Sequence, residues 1–228
     1  MSLFAIADTH LSFGTNKPMD TFEGWQDYTE KLQNNWNNLV TPGDYVVIAG
    51  DISWAMNFNE LKADFDFINR LNGKKIIIKG NHDYWWNTVK KMNEFVTENG
   101  FDSISFLQNS ALEFDGFSVC GSRGWLFDSD EALDVKVLNR EVIRLKMSLD
   151  SAKSDEKIVF LHYPPITTNE KCEEIFDLLK EYGIKKCYYG HLHGIAAKFA
   201  VDDKIDKIDF KLISADRLGF APYLIKKF

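Results

Sequence analysis

The sequence predicts an α/β fold whose β-strands are buried between layers. Short apolar runs of a few residues alternate along the chain with segments in which apolar residues recur every three or four positions. The 228 residues are 45% apolar, which is enough for a substantial core. We find no repeat, low-complexity tract or linker, so we expect one domain covering residues 1–228. The runs that we interpret as buried strands are residues 3–7, 45–49, 75–78, 158–161 and 186–189.

The segments of helical period predict five helices. In the first, Phe22, Trp25 and Tyr28 recur at a spacing of three, and Asp20 with Glu23 would form a capping box. Asn-Gly pairs close the second and third helices. Between residues 103 and 121, and again between 196 and 228, the helical period is lost, and β-prone runs predict antiparallel strands. The predicted helices cover residues 21–40, 59–71, 84–98, 129–150 and 169–182.

Charge and cysteine content exclude several classes of protein. The net charge of -7, from 27 basic and 34 acidic residues, argues against a broad basic surface for a nucleic acid polymer or an anionic membrane. Three cysteines without a Cys-x-x-Cys pair indicate neither a disulfide framework nor a thiolate zinc site. The first residues lack the basic region of a signal peptide, and no apolar stretch approaches the roughly 20 residues that span a bilayer. We therefore expect a cytoplasmic protein.

Each of the five predicted strands is followed by residues that bind metals or move protons. Any one such motif is weak, because Asp and His after a strand often only form turns or core contacts. Five together are specific, and they contain all five histidines of the chain. Because ligands gather outside the carboxyl ends of strands in open α/β sheets, we expect these motifs to converge. They are Asp8-Thr9-His10, Gly50-Asp51, Gly80-Asn81-His82-Asp83, His162, and Gly190-His191-Leu192-His193.

The residue types in these motifs indicate which metals would bind. Imidazole, carboxylate and amide groups suit divalent Mn, Fe, Zn or Co better than Ca or Mg. Two divalent ions with Asp8, Asp51 and a bridging hydroxide would leave a charge of about +1. An acidic protein would therefore still attract a phosphate at this point.

The ordered motifs resemble the signature of the calcineurin-like metallophosphoesterase superfamily, which runs Asp-x-His, Gly-Asp, Gly-Asn-His-[Asp/Glu], His, Gly-His-x-His. The match spans positions 8 to 193. The resemblance implies a four-layer α/β/β/α sandwich with two central mixed β-sheets and a metal site at the C-terminal ends of the strands. It assigns Asp8, His10 and His193 to one metal, Asn81, His162 and His191 to a second, and Asp51 to both.

The resemblance also implies a mechanism. Two divalent ions, most plausibly Mn, Fe or Zn, would share a hydroxide that attacks phosphorus, and His82 would protonate the leaving oxygen. A plain loop residue is the alternative for His82. Protein phosphatases of the superfamily carry an acidic residue three positions after the Gly-Asp aspartate, where this chain has Trp54. This difference leaves His82 without that carboxylate partner, and Asp83 is available as a supporting group.

Residues around the motifs could contact the substrate. Arg123 is the candidate for gripping a substrate phosphate, because a guanidinium matches phosphate geometry. Arg140 and Arg144, four positions apart, favour a solvated or salt-bridged helix face. Aromatic residues near the motifs could form a wall for a nucleobase, with core packing as the alternative that we favour for the two adjacent tryptophans. These aromatic residues are Tyr84, Trp85, Trp86, Trp125 and Tyr163.

Together these observations predict a hydrolase that cleaves small phosphomonoesters or phosphodiesters, nucleotides among them, with two divalent metal ions. A Ser/Thr-type protein phosphatase is one alternative, which Trp54 disfavours. A metal-binding scaffold without catalysis is the other, although no predicted ligand is missing. We do not expect a nucleic acid polymer as partner.

Overall fold

The computed structural model describes residues 1–125 and 135–228. Within them it contains the strands β1 (Ser2–Ile6), β2 (Tyr45–Ala49), β3 (Lys74–Ile78), β4 (Ile104–Phe106), β5 (Leu112–Phe114), β6 (Phe117–Ser122), β7 (Lys157–Leu161), β8 (Lys186–Tyr189), β9 (Lys204–Ile205), β10 (Ile208–Leu212) and β11 (Tyr223–Lys227). Its helices are α1 (Tyr28–Leu39), α2 (Phe58–Arg70), α3 (Val89–Glu98), α4 (Val135–Asp150) and α5 (Glu173–Glu181), with a short 3₁₀ helix at Gly194–Phe199.

The strands form two mixed sheets. The first has the order β11-β1-β2-β3-β4, in which β1 to β4 are parallel and β11 pairs antiparallel with β1. The second has the order β5-β6-β7-β8-β10-β9, in which the four middle strands are parallel and both edge strands are antiparallel. The parallel strands are continuous apolar runs because both of their faces are covered.

Alternating side chains on each strand divide the core into three apolar layers. Phe4 and Ile6 of β1 pack with helices α1 to α3, whereas Leu3 and Ala5 face the second sheet. On β7, Val159 and Leu161 pack with α4 and α5, whereas Ile158 and Phe160 face the first sheet. The molecule is therefore a four-layer α/β/β/α sandwich, which confirms the predicted fold class.

The structure corrects the starts of three predicted helices. Residues 20–27 form turns, so the predicted capping box does not exist: the carboxylate of Asp20 accepts a hydrogen bond from the backbone of Asp27 at 3.1 Å, and Asp27 has a φ of 54°. Helix α3 begins only after Thr88, whose hydroxyl accepts from the backbone of Lys91. Helix α5 begins at residue 173 rather than 169. The predicted start of the fourth helix, residue 129, lies outside the described residues.

The antiparallel pairing predicted for two segments is wrong in part. Strand β4 is parallel to β3, and β6 is parallel to β7, so only the β5–β6 hairpin is antiparallel between residues 103 and 121. In the last segment β10 is parallel to β8, while β9 and β11 pair antiparallel with their neighbours. The chain also forms the 3₁₀ helix there before the first of these strands.

Two further observations concern the cysteines and the lengths of the apolar helices. The cysteines Cys120, Cys172 and Cys187 are buried free thiols. Within the part of the chain that the structure describes, no helix combines the length and the apolar character needed to cross a membrane.

Candidate metal centre

The loops that follow five parallel strands meet at one edge of the sandwich. Backbone hydrogen bonds extend past the strand ends and join these loops in pairs. The amide of Asp8 donates to the carbonyl of Gly50 at 3.0 Å, and the amide of His10 donates to the carbonyl of Asp51 at 3.0 Å. On the second sheet, the amide of Gly190 donates to the carbonyl of His162 at 3.1 Å. Adjacent strands therefore hold the motifs in register with each other.

Four residues of the motifs have a left-handed backbone. The φ angles are 57° at Asp8, 43° at His10, 50° at Asp51 and 72° at His191. Such a conformation costs a non-glycine residue on the order of 1–3 kcal/mol and persists only where the surroundings enforce it. Here side chains of the same cluster enforce it, since the amide of His191 donates to Asp8 Oδ2 at 2.8 Å. The carboxylates thus shape the loops that bring the other groups close.

Two glycines allow the loops to approach this closely. A Cβ atom on Gly50, which has a φ of 91°, would lie 2.6 Å from Nδ1 of His162. A Cβ atom on Gly80 would lie 2.1 Å from Oδ1 of Asp51. Any side chain at either position would push the motifs apart.

Asp51 belongs to two groups of residues that could each hold a metal ion. One group is Asp8, His10 and Asp51, and the other is Asp51, His162 and His191; in each, the ligand atoms lie within 4.8 Å of one another. The same carboxylate oxygen, Asp51 Oδ2, is 3.9 Å from His10 Nε2 and 3.5 Å from His162 Nε2. A carboxylate shared in this way has the position of a bridge between two cations.

The two remaining predicted ligands complete these groups. Oδ1 of Asn81 is 2.6 Å from Nε2 of His162 and 3.1 Å from Nδ1 of His191, so the amide lies in the second group. The ring of His193 lies 5.3 Å from the ring of His10, beside the first group. The structure therefore brings all seven predicted ligands into one cluster.

The contacts of His162 indicate where a cation would lie. Its Nδ1 is 3.1 Å from the carbonyl of Ala49, which accepts a hydrogen bond, so Nδ1 carries the proton. Nε2 then presents a lone pair to the oxygens of Asn81 and Asp51. Lone pairs that face each other repel unless a cation lies between them. Burial also lowers the pKa of His162 to about 3, which keeps the ring neutral as a metal ligand must be.

The first group shows the same mismatch. Both ring nitrogens of His10 and Oδ1 of Asp8 are buried without a hydrogen-bond partner. Burial lowers the pKa of His10 and raises the pKa of Asp8, and it raises the pKa of Asp51 to about 6. Buried unpaired groups of this kind are unfavourable unless something satisfies them. Neutral imidazoles beside carboxylates fit divalent cations, so the donor set matches the implied cofactor.

Asp83, for which the sequence suggested only a supporting role, joins the loops that follow β2 and β3. Its Oδ2 accepts from the amides of Asp51 at 2.9 Å and Gly80 at 2.7 Å, and its Oδ1 accepts from the amide of Ile52 at 3.0 Å and from Nε1 of Trp85 at 3.2 Å. Burial raises the pKa of Asp83 to about 7. Asp83 therefore positions the β2 and β3 loops without entering the cluster.

His82 lies at the mouth of the cluster between two aromatic residues. Its amide donates to Asp51 Oδ1 at 2.7 Å, and its Nδ1 is 3.2 Å from the hydroxyl of Tyr84. The ring of Trp54 stacks on His10 at 4.9 Å and packs against His82 at 4.5 Å. Trp54 and Tyr84 therefore contact His82, which in the protein phosphatases of the superfamily is oriented by a carboxylate. The sequence showed both residues but not this packing, because no spacing rule predicts it.

Arg123 does not lie in the cluster itself. Its guanidinium is 3.3 Å from Glu141 and 5.8 Å above the ring of Tyr163, and its carbonyl accepts from the amide of His162. Arg144 also binds Glu141, at 2.5 Å, which agrees with the salt-bridged face that we predicted for it. Arg140 is exposed, and its Nε donates to the carbonyl of Lys136 at 3.2 Å.

The five aromatic residues suggested for a substrate wall differ in their surroundings. Trp85 is buried against Phe65, as the packing alternative expected. Tyr84 is 51% exposed beside His82, and the ring of Tyr163 lies 4.5 Å from that of His191. Trp86, whose Nε1 donates to Gln108 at 3.1 Å, is partly buried. Trp125 is partly buried and 6.4 Å from Tyr163.

Comparison with known proteins points to one family. Residues 1–194 match the family model of the calcineurin-like phosphoesterases. A probable cyclic nucleotide phosphodiesterase of Coxiella burnetii is 22% identical and aligns with 96% of this chain and 91% of its own length. A second protein of that name, from Vesicomyosocius okutanii, is 21% identical over 86% of this chain and 79% of its own length.

Solved structures share the fold. The phosphopantetheinyl hydrolase of Mycobacterium tuberculosis superposes with a TM-score of 0.57 at 15% identity, covering 100% of this chain and 96% of that one. A protein of unknown function from Aquifex aeolicus superposes with a TM-score of 0.54 at 16% identity, covering 98% and 95% of the two chains. At such identity these likenesses concern the fold alone.

Proposed function

The chain belongs to the calcineurin-like phosphoesterase family and is therefore a phosphoric ester hydrolase, and we propose that it cleaves a small phosphodiester of nucleotide type with two divalent cations. The position of Asp51, which both possible metal groups share, is the observation that supports the use of two cations most directly. It belongs to both groups that could hold a metal, and its Oδ2 lies between His10 and His162. A single-metal site would not need one carboxylate in this place.

We assign the residues to two cation sites. Asp8, His10 and His193 would hold one ion, Asn81, His162 and His191 the other, and Asp51 both. Divalent Mn, Fe or Zn suits this mixture of imidazole, carboxylate and amide. When bound, the cations would supply an activated water and positive charge for the phosphate.

His82 is the proposed general acid. Its amide donates to Oδ1 of Asp51, which holds it beside the cluster, and we expect its ring to face the scissile ester. Proton donation to the leaving oxygen requires such a positioned imidazole. Burial lowers the pKa of His82, which makes its protonated form a stronger acid but leaves a smaller fraction of the imidazoles protonated near neutral pH.

Three observations support a small diester as the substrate. Two relatives that span most of this chain are named probable cyclic nucleotide phosphodiesterases. The exposed ring of Tyr84 stands beside His82, where a nucleobase or sugar could pack. The net charge of -7 offers no broad basic path for a polymer. The protein-phosphatase alternative lacks its acidic residue at position 54, and a scaffold without catalysis would not need the complete ligand set.

Metal reconstitution tests this proposal. Metal-stripped protein is loaded with Mn, Fe, Zn, Co or Mg and assayed with chromogenic phosphomonoesters, chromogenic phosphodiesters and 3′,5′-cyclic nucleotides. We expect turnover that depends on metal and prefers diesters, that Asp51→Asn and His82→Ala lose, and that Asp115→Asn retains, since Asp115 is exposed in the β5–β6 turn. A preference for monoesters would overturn the substrate class. No turnover with any metal, although ions bind, would indicate the scaffold.

A further inference from the structure

A second polar pocket opens beside the metal centre. It lies towards β4 of the first sheet and β6 of the second, since residues at or just after the ends of β3, β4 and β6 line it. It is a small, partly open cleft. The polar and aromatic residues of its lining that matter here are Lys79, Trp86, Asn109, Arg123, Glu141 and Arg144.

The pocket is cationic although the protein is acidic. Three basic side chains, Lys79, Arg123 and Arg144, line it together with one carboxylate, Glu141, so its formal charge is +2. Glu141 is only 1% exposed, and both guanidinium groups bind the same carboxylate oxygen, Oε1. This arrangement fixes the direction of two guanidinium groups in advance, and a guanidinium held in place loses less freedom on binding an anion.

Polar atoms of the lining lack partners. Nε of Arg123, Oε2 of Glu141 and Oδ1 of Asn109 are buried without a hydrogen bond. Buried atoms of this kind are uncommon and indicate an occupant, whether water or ligand. The set contains one donor and two acceptors, so a matching group must both accept and donate hydrogen bonds.

We propose that this pocket binds a terminal phosphate of the substrate, distinct from the phosphate whose ester is cleaved. This inference rests on the proposed function and narrows it to a substrate with two phosphates. A terminal phosphate has a second pKa of about 6, so it retains or readily regains one proton. Its oxygens accept from the guanidinium groups, and its P–OH donates to the free oxygen of Glu141. A carboxylate group of a substrate is ionised near neutral pH, so it offers hydrogen-bond acceptors but no donor.

The pocket and the metal centre are joined by short stretches of chain. Lys79 directly precedes Gly80 and the proposed ligand Asn81. On the other sheet, the carbonyl of Arg123 accepts from the amides of His162 and Tyr163, and the guanidinium of Arg123 lies over the ring of Tyr163. The same residues therefore line the pocket and support the cluster, so a phosphate in the pocket is held at a fixed position relative to the scissile ester.

A binding experiment tests the pocket without catalysis. Inorganic phosphate is titrated into metal-stripped protein by calorimetry. We expect binding by the wild type and by Arg140→Met, and binding at least tenfold weaker in Arg144→Met and Arg123→Met. Arg140 is the matched control because it lies one turn from Arg144 on α4 and is exposed. No binding by the wild type, or equal binding by all four proteins, would overturn the proposal.

A kinetic experiment tests the role in specificity. Thymidine 5′-(p-nitrophenyl phosphate) and its 3′-phosphorylated form share one leaving group and differ by a terminal phosphate. We expect the metal-loaded wild type to prefer the second substrate at least tenfold in kcat/KM, mostly through KM, and Arg144→Met to lose this preference while Arg140→Met keeps it. No preference in the wild type would overturn the role in specificity. Phosphate binding that needs Arg144, in a protein that hydrolyses no ester with any metal, would overturn the proposed function and leave the anion pocket standing.

Discussion

The hydroxyl of Tyr84 lies 3.2 Å from Nδ1 of His82, the histidine proposed as the general acid. A hydrogen bond at one ring nitrogen determines which tautomer the ring adopts and how the ring is turned. Protein phosphatases of the same superfamily use a carboxylate to orient this histidine, and this chain has Trp54 at that position. We therefore propose that Tyr84 is a positioning residue that would act through His82.

Removing this hydroxyl should slow catalysis without loss of folding. For Tyr84→Phe we expect kcat to fall about two- to tenfold, because a hydrogen bond contributes about 0.5–1.5 kcal/mol, with little change in KM. The pH profile of kcat should also shift, since the partner of the general acid has changed. Tyr45→Phe, at the opposite end of the first sheet, is the control. Unchanged kcat and an unchanged profile in Tyr84→Phe would show that Tyr84 does not orient His82.

Trp54 should support both the proposed acid and one proposed ligand. Its ring stacks on His10 and packs against His82, and such aromatic pairs contribute about 0.5–1.5 kcal/mol each. For Trp54→Ala we expect kcat to fall about tenfold, with weaker retention of one metal ion. Trp54→Phe keeps a ring and should stay within about threefold of the wild type. Metal analysis after dialysis, together with kcat, measures both effects, and equal behaviour of the two variants would contradict the packing role.

Metal stoichiometry should separate a bridging ligand from a terminal one. His10 belongs to one group of possible ligands and Asp51 to two. We expect Asp51→Asn to weaken the binding of both metal ions. We expect His10→Ala to lose one metal ion and to retain the other. Elemental analysis of dialysed protein counts the ions, and Asp115→Asn should match the wild type. If Asp51→Asn keeps two ions as tightly as the wild type, Asp51 does not bridge.

The sequence predicted the strands and the cluster better than the helix starts. Strand β2, for example, matches its predicted range at both ends, because a parallel strand covered on both faces must be apolar throughout. The cluster followed from the same strands, since motifs after parallel strands share one edge. The predicted start of helix α1 was wrong because Phe22 continues the apolar period although its side chain is 57% exposed, and because the chain turns at Asp27. Periodicity does not distinguish a turn from a helix over one such repeat.

Other features depend on contacts between distant parts of the chain. Lys79, Arg123 and Glu141 come from three separate elements, and nothing in their spacing predicts a common pocket. The pairing of β4 and β6 with parallel neighbours likewise depends on which strands become adjacent. The assignment of residues 1–228 to one domain, and of individual residues to the two metals, remain predictions.

Lys75 is a buried lysine that has no proposed role in the metal centre or in the anion pocket. Its side chain is fully buried, and its Nζ donates to the carbonyl of Gly73 at 2.8 Å, to the hydroxyl of Ser103 at 3.1 Å and to the carbonyl of Leu71. Leu71 caps helix α2, where a positive charge is favourable. Burial nevertheless lowers the pKa of Lys75 from 10.5 to about 8.

This lowered pKa predicts how the contribution of Lys75 to stability depends on pH. Below pH 8 both the folded and unfolded states carry the proton, and the folded state bears the full cost of the buried charge. Between pH 8 and 10.5 the folded state releases the proton while the unfolded state keeps it, so the contribution of Lys75 rises with pH by on the order of 3 kcal/mol. Buried thiols and phenols such as Cys187 and Tyr189 have raised pKa values and act in the opposite direction, so the total stability should still fall.

The comparison of wild type with Lys75→Met isolates this contribution, because both proteins share every other titrating group. We expect the difference in the free energy of unfolding, wild type minus variant, to increase from pH 7.5 to pH 10.5, as measured by urea unfolding under reducing conditions. Methionine has a similar length and no charge, so it does not titrate. Lys74→Met, at the neighbouring exposed position of the same strand, is the control for the removal of a lysine. Parallel pH curves for wild type and Lys75→Met would mean that the buried amine keeps an ordinary pKa, held charged by the carbonyls around it.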